Sequence, residues 1–256
     1  CKVASRIVRA GQRVVVNLEE GGRDTAEPAP LERARILFAD EHLVAVDKPA
    51  GVASQPTLTH DRGTLPDLVA AAIGGPVSVV HRLDRETSGV VVLARTAAAN
   101  AALAEAFRTG VPEKTYLALC ARPPSPPEGR VDAPLGKDPR RPGVRRVTTG
   151  GDPAATAYRT VRSSEAAALV EAKPETGRTH QIRVHLAHLG APLLGDPKYG
   201  GPRAVGERGI PRVMLHAARL VVPHPERGEP LVFEAPVPSD FADALAALVP
   251  PSTQSP

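Results

Sequence analysis

The chain has 256 residues, 42% hydrophobic and 23% charged, with a formal net charge of +4, a pI of about 9.3 and two cysteines. This composition is typical of a globular protein and excludes a disordered chain, a disulfide scaffold and a cysteine-based zinc module. No stretch approaches the roughly 20 apolar residues of a membrane span and no secretory leader is apparent, so we expect a cytoplasmic protein without membrane contacts.

The N-terminal residues 1–18 are predicted to form a basic turn and a short strand, and residues 19–32, which are polar and proline-rich, a linker. The chain begins with Cys1 rather than Met, so we expect an N-terminal part to precede it. One main domain is predicted over residues 33–249, followed by a disordered tail at 250–256.

Hydrophobic runs and turn signals predict the elements of this domain. Strands are predicted at 36–38, 43–47, 77–80, 90–94, 116–120, 157–161, 167–172, 213–222 and 231–234. Helices are predicted up to 73, over 97–109, 180–189 and up to 248, with Thr64, Thr179 and Ser239 as N-terminal caps. Residues 122–153 are predicted to be a long loop. Because helices and strands do not alternate regularly, we expect an α+β fold with a mixed, mostly antiparallel sheet and flanking helices.

The segment His81–Gly89 is the most informative part of the chain. It is predicted to be a sharp turn between two buried strands, yet it carries Asp84 among several charged residues. Packing gives no reason to place a carboxylate there, whereas a site that holds one carboxylate among cations would. From the residues alone, a structural role for Asp84 stays open.

A second charged turn, Glu175–Arg183, lies where a strand is predicted to give way to a helix. Helix N-termini attract anions, and Arg178 strengthens that tendency. Arg183 lies on the same helix face as His180 and is predicted to pair with Asp84, which would keep the carboxylate ionised and oriented. The alternative is an ordinary buried ion pair that ties two elements together.

Other chemistry is less well supported. Three histidines at 180, 185 and 188 fall on one predicted helix, but their spacing is not that of a zinc protease, so no metal is expected and surface histidines are the simpler interpretation. Tyr116, at the start of a strand, is most simply a core residue; its functional interpretation is a ring stacked on a planar substrate or a phenol that moves a proton. No phosphate-binding loop, dinucleotide motif or nucleophile elbow is present, so the residues alone leave a site with a single carboxylate and several arginines.

These motifs together resemble the signature of the large-subunit-type, RluA-like RNA pseudouridine synthases. The resemblance covers about residues 33–236 in family order, on the blocks Lys48–Gly51, His81–Asp84 with Thr87–Gly89, Lys114–Ala118, Gly177–His185, Leu194–Gly200 and Leu215–Ala217. Residues 1–18 resemble the last part of a small RNA-binding domain that often precedes this catalytic domain.

The resemblance implies the pseudouridine synthase fold, with a cleft that carries a catalytic aspartate, and isomerisation of uridine in RNA without a cofactor. By position it implies Asp84 as the catalytic carboxylate, Arg183 as its partner and Tyr116 as the residue that stacks on the target base. The substrate-binding residues that it implies, or that lie in the same blocks, are His81, Arg82, Lys114, Arg178, His180 and Gln181. Arg82 is expected to fill the gap left by a flipped base.

The partner implied is RNA, ribosomal RNA first and transfer RNA second, and we expect a monomer with no obligatory protein partner. The basic segment 137–146 is a candidate for phosphate contact. Two other functions stay open: a non-catalytic RNA-binding or ribosome-assembly protein on the same fold, and a carbohydrate or nucleoside hydrolase. The carboxylate would act either as a nucleophile at the anomeric carbon or as a base on the sugar.

Overall fold

The computed structural model describes residue 31 and residues 35–56 and 62–250. The predicted RNA-binding remnant at 1–18, the linker at 19–32 apart from Leu31, and the predicted tail beyond Pro250 therefore lie outside the described residues. None of the described helices is long and apolar enough to cross a membrane.

The described part of the chain is α+β. The strands are β1 (Ile36–Ala39), β2 (Leu43–Lys48), β3 (Ser78–Val79), β4 (Ser88–Ala94), β5 (Glu113–Cys120), β6 (Glu128–Asp132), β7 (Leu135–Lys137), β8 (Arg145–Val147), β9 (Ala155–Ser163), β10 (Ala168–Pro174), β11 (Ala204–Val205), β12 (Arg208–Gly209), β13 (Leu215–Pro223) and β14 (Pro230–Glu234). The helices are α1 (Leu65–Ile73), α2 (Ala97–Thr109), α3 (Gln181–His188) and α4 (Ser239–Leu248), with a short 3-10 turn at Pro197–Tyr199.

One large sheet organises these elements. Its strands follow the order β1-β2-β4-β13-β5-β10-β9-β6, with β14 paired to β13 and β3 paired to β4. The pairs within it are antiparallel except for β4 and β13, which run parallel through Ser88–His216 and Gly89–Ala217. The predicted α+β class with a mixed, mostly antiparallel sheet is therefore confirmed.

The parallel contact depends on a glycine directly after the charged turn. Gly89 has φ of +114°, and a Cβ atom there would lie 2.2 Å from the carbonyl oxygen of Ala217. Because any side chain would overlap the β13 backbone, only glycine allows the two halves of the sheet to meet at this point. The segment His81–Gly89, called the charged turn below, is thus anchored at the centre of the sheet.

Helices cover both faces of the sheet. At β2 and β4, α1 packs on Val44, Val46, Val91 and Leu93, whereas α2 packs on the alternate residues Leu43, Ala45, Val90 and Val92. Successive residues of a strand face opposite sides, so these helices lie on opposite faces. In the same way, α3 packs against Ala118 and Val170, and α4 against Leu119 and Leu169.

Two predicted segments differ from the structure. The segment before β4 is not a sharp turn between two buried strands: β3 has two half-buried or exposed residues and pairs with the far end of β4 at Ala94, so residues 80–87 run back along that strand. Residues 122–153 are not one loop, because they contain β6, β7 and β8. Periodicity missed β7 and β8 because each has only three residues.

The helix caps differ in part as well. Thr64 caps α1 as predicted. The backbone N–H and the hydroxyl of Thr64 donate hydrogen bonds to the Asp67 carboxylate at 2.9 and 2.8 Å. Thr179 does not cap α3, because His180 occupies the N-cap position and the helix starts one residue later than expected. Ser239 is the first residue of α4 rather than its cap, which is Pro238.

Candidate active site

Two clefts meet at the charged turn. The first, of about 580 Å³, lies between this turn, the end of α2 and the turn that leads into α3. The second, of about 570 Å³, lies between the same turn, the 3-10 turn and residues 210–213. Four side chains line both clefts: Arg82, Asp84, His180 and Arg183. The predicted catalytic carboxylate therefore lies where the two clefts join.

Backbone contacts hold the turn on both sides of Asp84. The Ser54 hydroxyl donates to the carbonyl of Leu83 at 2.8 Å and accepts from its N–H at 3.1 Å. Gly51 donates its N–H to the Arg85 carbonyl at 2.8 Å, and the Arg85 side chain donates back to the Gly51 carbonyl at 2.8 Å. With its neighbours fixed in this way, Asp84 has little backbone freedom.

Lys48 also holds this turn in place through hydrogen bonds. Its side chain is fully buried, and its amino group donates to the carbonyls of Pro49 at 2.9 Å, Val52 at 2.8 Å and Arg85 at 3.1 Å. Burial lowers the pKa of Lys48 to about 7. The sequence predicted only a turn at 48–51; a lysine that directly follows a buried strand was the signal for this role.

Replacing Lys48 with methionine is expected to destabilise the protein by roughly 2 kcal/mol, because three partly buried carbonyl groups lose their donor. The free energy of unfolding in urea measures the loss. Lys173→Met is the control, since Lys173 lies on β10 with an exposed side chain 3.6 Å from Glu171 and should contribute almost nothing. Equal losses in the two variants would contradict the supporting role of Lys48.

Arg183 links two carboxylates. Its Nη1 donates to Oδ2 of Asp84 at 2.9 Å, while Nε and Nη2 donate to the two oxygens of Asp196 at 2.7 and 2.8 Å. Burial acts to lower the pKa of Arg183, but the two carboxylates outweigh it and raise the pKa. The arginine therefore stays charged, and Asp196, which the sequence did not single out, fixes its orientation.

His180 approaches the same carboxylate from the start of α3. Its Nε2 lies 3.8 Å from Oδ2 of Asp84. Burial lowers the pKa of His180 to about 4, although the Asp84 carboxylate acts in the opposite direction. The imidazole is therefore neutral at neutral pH. The other oxygen of Asp84, Oδ1, has no hydrogen-bond partner among residues 35–56 and 62–250.

Tyr116 lines the first cleft near Asp84 and is half-buried. Burial and the negative charge of Asp84 raise its pKa, so the phenol is protonated at neutral pH. The side chain can stack on a planar group in the cleft and can donate a hydrogen bond there.

Three of the predicted substrate-binding residues are cations at the cleft walls. Arg82 is exposed at the junction of the two clefts, and Lys114 and Arg178 line the first cleft. Arg178 donates from Nε to the carbonyl of Pro153 at 3.0 Å, and burial lowers the pKa of Lys114. All three are placed to contact a bound anion.

Two other residues predicted to bind substrate make contacts within the protein. The His81 ring stacks on Phe107 at 4.3 Å and accepts a hydrogen bond from the N–H of Val92 at 3.0 Å, and burial lowers its pKa to about 3. The Gln181 amide is buried with four hydrogen bonds, to Ala155, Thr156, Thr176 and the backbone of Arg178. Both side chains form walls of the first cleft through these contacts.

The histidines of α3 do not gather around one point. His185 is buried rather than on the helix surface, and its ring nitrogens bond to Thr156 at 2.9 Å and to the carbonyl of Ala133 at 3.0 Å. His188 is exposed. Within the described part of the chain, no three His, Cys, Asp or Glu residues are grouped to hold a metal ion.

Sequence comparison gives a consistent result. The profile of the RNA pseudouridylate synthase family matches residues 42–188. The chain is 40% identical to "uncharacterized RNA pseudouridine synthase YhcT" of Bacillus subtilis, over 92% of this chain and 78% of that one. It is 38% identical to ribosomal large subunit pseudouridine synthase D of Nitrosomonas europaea, over 92% and 71%. It is 42% identical to dual-specificity RNA pseudouridine synthase RluA of Escherichia coli O157:H7, over 80% and 93%.

Structural comparison agrees. Human RNA pseudouridylate synthase domain containing 4 matches with a TM-score of 0.69 and 31% identity, over 83% of this chain and 92% of that one.

Proposed function

Since the chain belongs to the RNA pseudouridylate synthase family and is an isomerase acting on RNA, we propose that it converts specific uridines of ribosomal RNA to pseudouridine, with Asp84 as the catalytic residue. Ribosomal RNA comes first because one relative is named for the large ribosomal subunit, and transfer RNA is the second candidate that the sequence left open. The observation that carries the proposal is the Asp84 carboxylate, held by Arg183 at 2.9 Å where two clefts meet.

The reaction conserves all atoms of the substrate. The bond between C1′ of the ribose and N1 of uracil breaks, the base turns, and a bond forms between C1′ and C5; the C5 proton leaves and N1 gains one. In either role left open by the sequence, as nucleophile at C1′ or as base on the sugar, Asp84 has to be ionised. Arg183 donates to this carboxylate at 2.9 Å and so fixes its orientation.

The target nucleotide has to leave its stack before Asp84 can reach the glycosidic bond. In our proposal the uracil enters the first cleft and stacks on Tyr116, while Arg82 occupies the space that the base has left. The protonated phenol of Tyr116 can hydrogen-bond to the uracil while it is detached from the sugar. Arg82 is suited to this place because it is exposed at the junction of the two clefts.

The RNA backbone would follow the cations along both clefts. Lys198 and Arg203 line the second cleft as exposed residues, and neither has an ion-pair partner among the residues that the structure describes. The basic segment 137–146, which runs from the end of β7 into β8, is a further candidate for phosphate contact. The protein would act in the cytoplasm as a monomer, without an obligatory protein partner.

RNA binding is expected to weaken steeply with salt, because lysines and arginines that neutralise phosphates release counterions. Lys198→Gln and Arg203→Gln should each reduce the slope of log Kd against log salt concentration by about one unit. Filter binding at several salt concentrations measures the slope. Arg227→Gln is the control, since Arg227 is paired with Glu229 at 2.8 Å in the β13–β14 turn, outside both clefts. A flat salt response of the unaltered protein would count against RNA as its partner.

Mapping pseudouridines tests the proposed substrate. Total RNA from a strain that lacks the gene is compared with RNA from the parent strain, and the purified protein is then added to an unmodified transcript of each site that was lost. Loss and restoration of a site in ribosomal RNA would support the proposal. A site in transfer RNA would favour the second candidate, and release of free uracil would support a hydrolase. If no site is lost in the strain that lacks the gene, a non-catalytic RNA-binding protein is supported instead.

A further inference from the structure

A chain of three side chains leads from the 3-10 turn to the catalytic carboxylate. The Tyr199 hydroxyl lies 2.6 Å from Nδ1 of His180, and Nε2 of the same imidazole faces Oδ2 of Asp84 at 3.8 Å. The two rings meet edge to face, with centroids 5.6 Å apart. Neither the sequence nor the proposed reaction gives Tyr199 a role.

The contacts of the Tyr199 hydroxyl favour one of the two neutral tautomers of His180. The backbone N–H of Arg145 donates to the Tyr199 hydroxyl oxygen at 3.0 Å, so the hydroxyl hydrogen is free to be donated to Nδ1 of His180. A neutral imidazole that accepts at Nδ1 carries its proton on Nε2. The opposite tautomer would direct a lone pair of Nε2 at the Asp84 carboxylate, which is repulsive.

The backbone of His180 indicates that its position is held under strain. His180 has φ of 60° and ψ of 17°, and it is the one non-glycine residue with positive φ in the described parts of the chain. The left-handed conformation is unfavourable for a residue with a side chain. Residues in such conformations cluster at functional sites, where the surrounding structure maintains them.

Two contacts from the β7–β8 hairpin hold Tyr199 in place. Besides the N–H of Arg145, the side chain of Arg141 donates to the carbonyl of Lys198 at 2.7 Å. The Tyr199 ring also lies beneath the Arg183 guanidinium, 5.1 Å from its centre. The tyrosine therefore contacts both groups that face Oδ2 of Asp84.

We propose that Tyr199 and His180 are positioning residues for Asp84. The Tyr199 hydroxyl fixes the His180 tautomer that presents Nε2–H to the carboxylate, and this donor closes onto Oδ2 when RNA binds, leaving Oδ1 for the ribose. A separation of 3.8 Å is long for a hydrogen bond, but contacts in active sites commonly tighten when substrate is bound. The closing of this donor onto Oδ2 rests on the proposed function, whereas the tautomer of His180 does not.

The tautomer can be measured on the full chain without substrate. In protein carrying ¹⁵N-labelled histidine, the ring nitrogen shifts of His180 should show a protonated Nε2 and an unprotonated Nδ1 at neutral pH. Tyr199→Phe, which keeps the ring and removes the hydroxyl, should give a mixture of both tautomers. A proton on Nδ1 in the unaltered protein would overturn the proposal, whatever the outcome of the pseudouridine mapping.

Kinetics then test the effect on Asp84, using an RNA that the unaltered protein modifies. Tyr199→Phe should lower the single-turnover rate about tenfold, as expected for the loss of one hydrogen bond, and change Kd for RNA less than twofold. Tyr158→Phe is the matched control, because Tyr158 is a buried tyrosine of β9, away from both clefts. Equal rates in Tyr199→Phe and the unaltered protein would overturn the proposal.

A pair of substitutions at position 180 separates the donor from the backbone conformation. Glutamine places an amide N–H close to the Nε2 position, whereas asparagine reaches only the Nδ1 position but tolerates the left-handed conformation better. We expect His180→Gln to retain about tenfold more single-turnover activity than His180→Asn, although asparagine should give the more stable protein. If asparagine is instead the more active variant, the role of His180 is conformational and the proposal fails.

Discussion

Asp84→Asn is expected to lower the rate of pseudouridine formation by about 10³-fold or more while the protein stays folded and bound to RNA. The amide keeps the size of the side chain and an oxygen that can accept from Arg183, so the contact at 2.9 Å can persist. It removes the negative charge that either chemical role requires. Single-turnover assays on a mapped RNA site measure the rate, and filter binding measures the affinity.

Glu86→Gln is the matched control for this substitution, because Glu86 lies on the same turn and loses the same charge. Its rate should stay within a few-fold of that of the unaltered protein. Affinity of Asp84→Asn for RNA should be equal or slightly higher, since a negative charge next to a polyanion is removed. If Asp84→Asn still forms pseudouridine at a comparable rate, Asp84 is not the catalyst and the proposed mechanism is wrong.

Arg183→Met is expected to destabilise the protein by about 3–5 kcal/mol and to abolish activity. The substitution leaves Asp196, which is 0% exposed, as an uncompensated buried carboxylate, and burial without a partner is costly. It also releases Asp84 from the contact that orients it. Urea unfolding measures the stability, and the single-turnover assay measures the activity.

The double substitution Arg183→Met with Asp196→Asn separates the two effects. It removes both buried charges, so much of the lost stability should return, whereas activity should not, because Asp84 still lacks its partner. Arg130→Met is the control, because Arg130 also holds a carboxylate, that of Glu175, through two contacts of 2.9 Å. Both of these side chains are about half exposed, so the expected loss of stability is much smaller. Recovery of activity in the double variant would contradict the orienting role of Arg183.

The sequence by itself determined the α+β class and the segments that carry the site. Hydrophobic runs predicted most strands of the central sheet, although not β6, and the unusual charge at 81–89 marked Asp84 before any contact was known. The sequence also placed a cation, Arg183, in the first turn of a predicted helix, but only the structure shows its contact with Asp84, which lies 99 residues away in the chain. Local patterns suffice for these features because each depends on residues close together in the chain.

Only the tertiary structure decided which groups act on Asp84 and which form the walls around it. Asp196 holds Arg183 from 13 residues away, Lys48 reaches Arg85 across 37 residues, and Tyr199 meets His180 across 19. Gln181 was predicted to bind substrate, yet all four of its hydrogen bonds lie within the protein. Residue type and spacing show that a side chain can donate, accept or carry charge. Its partner is set by the packing of distant segments, which no local pattern contains.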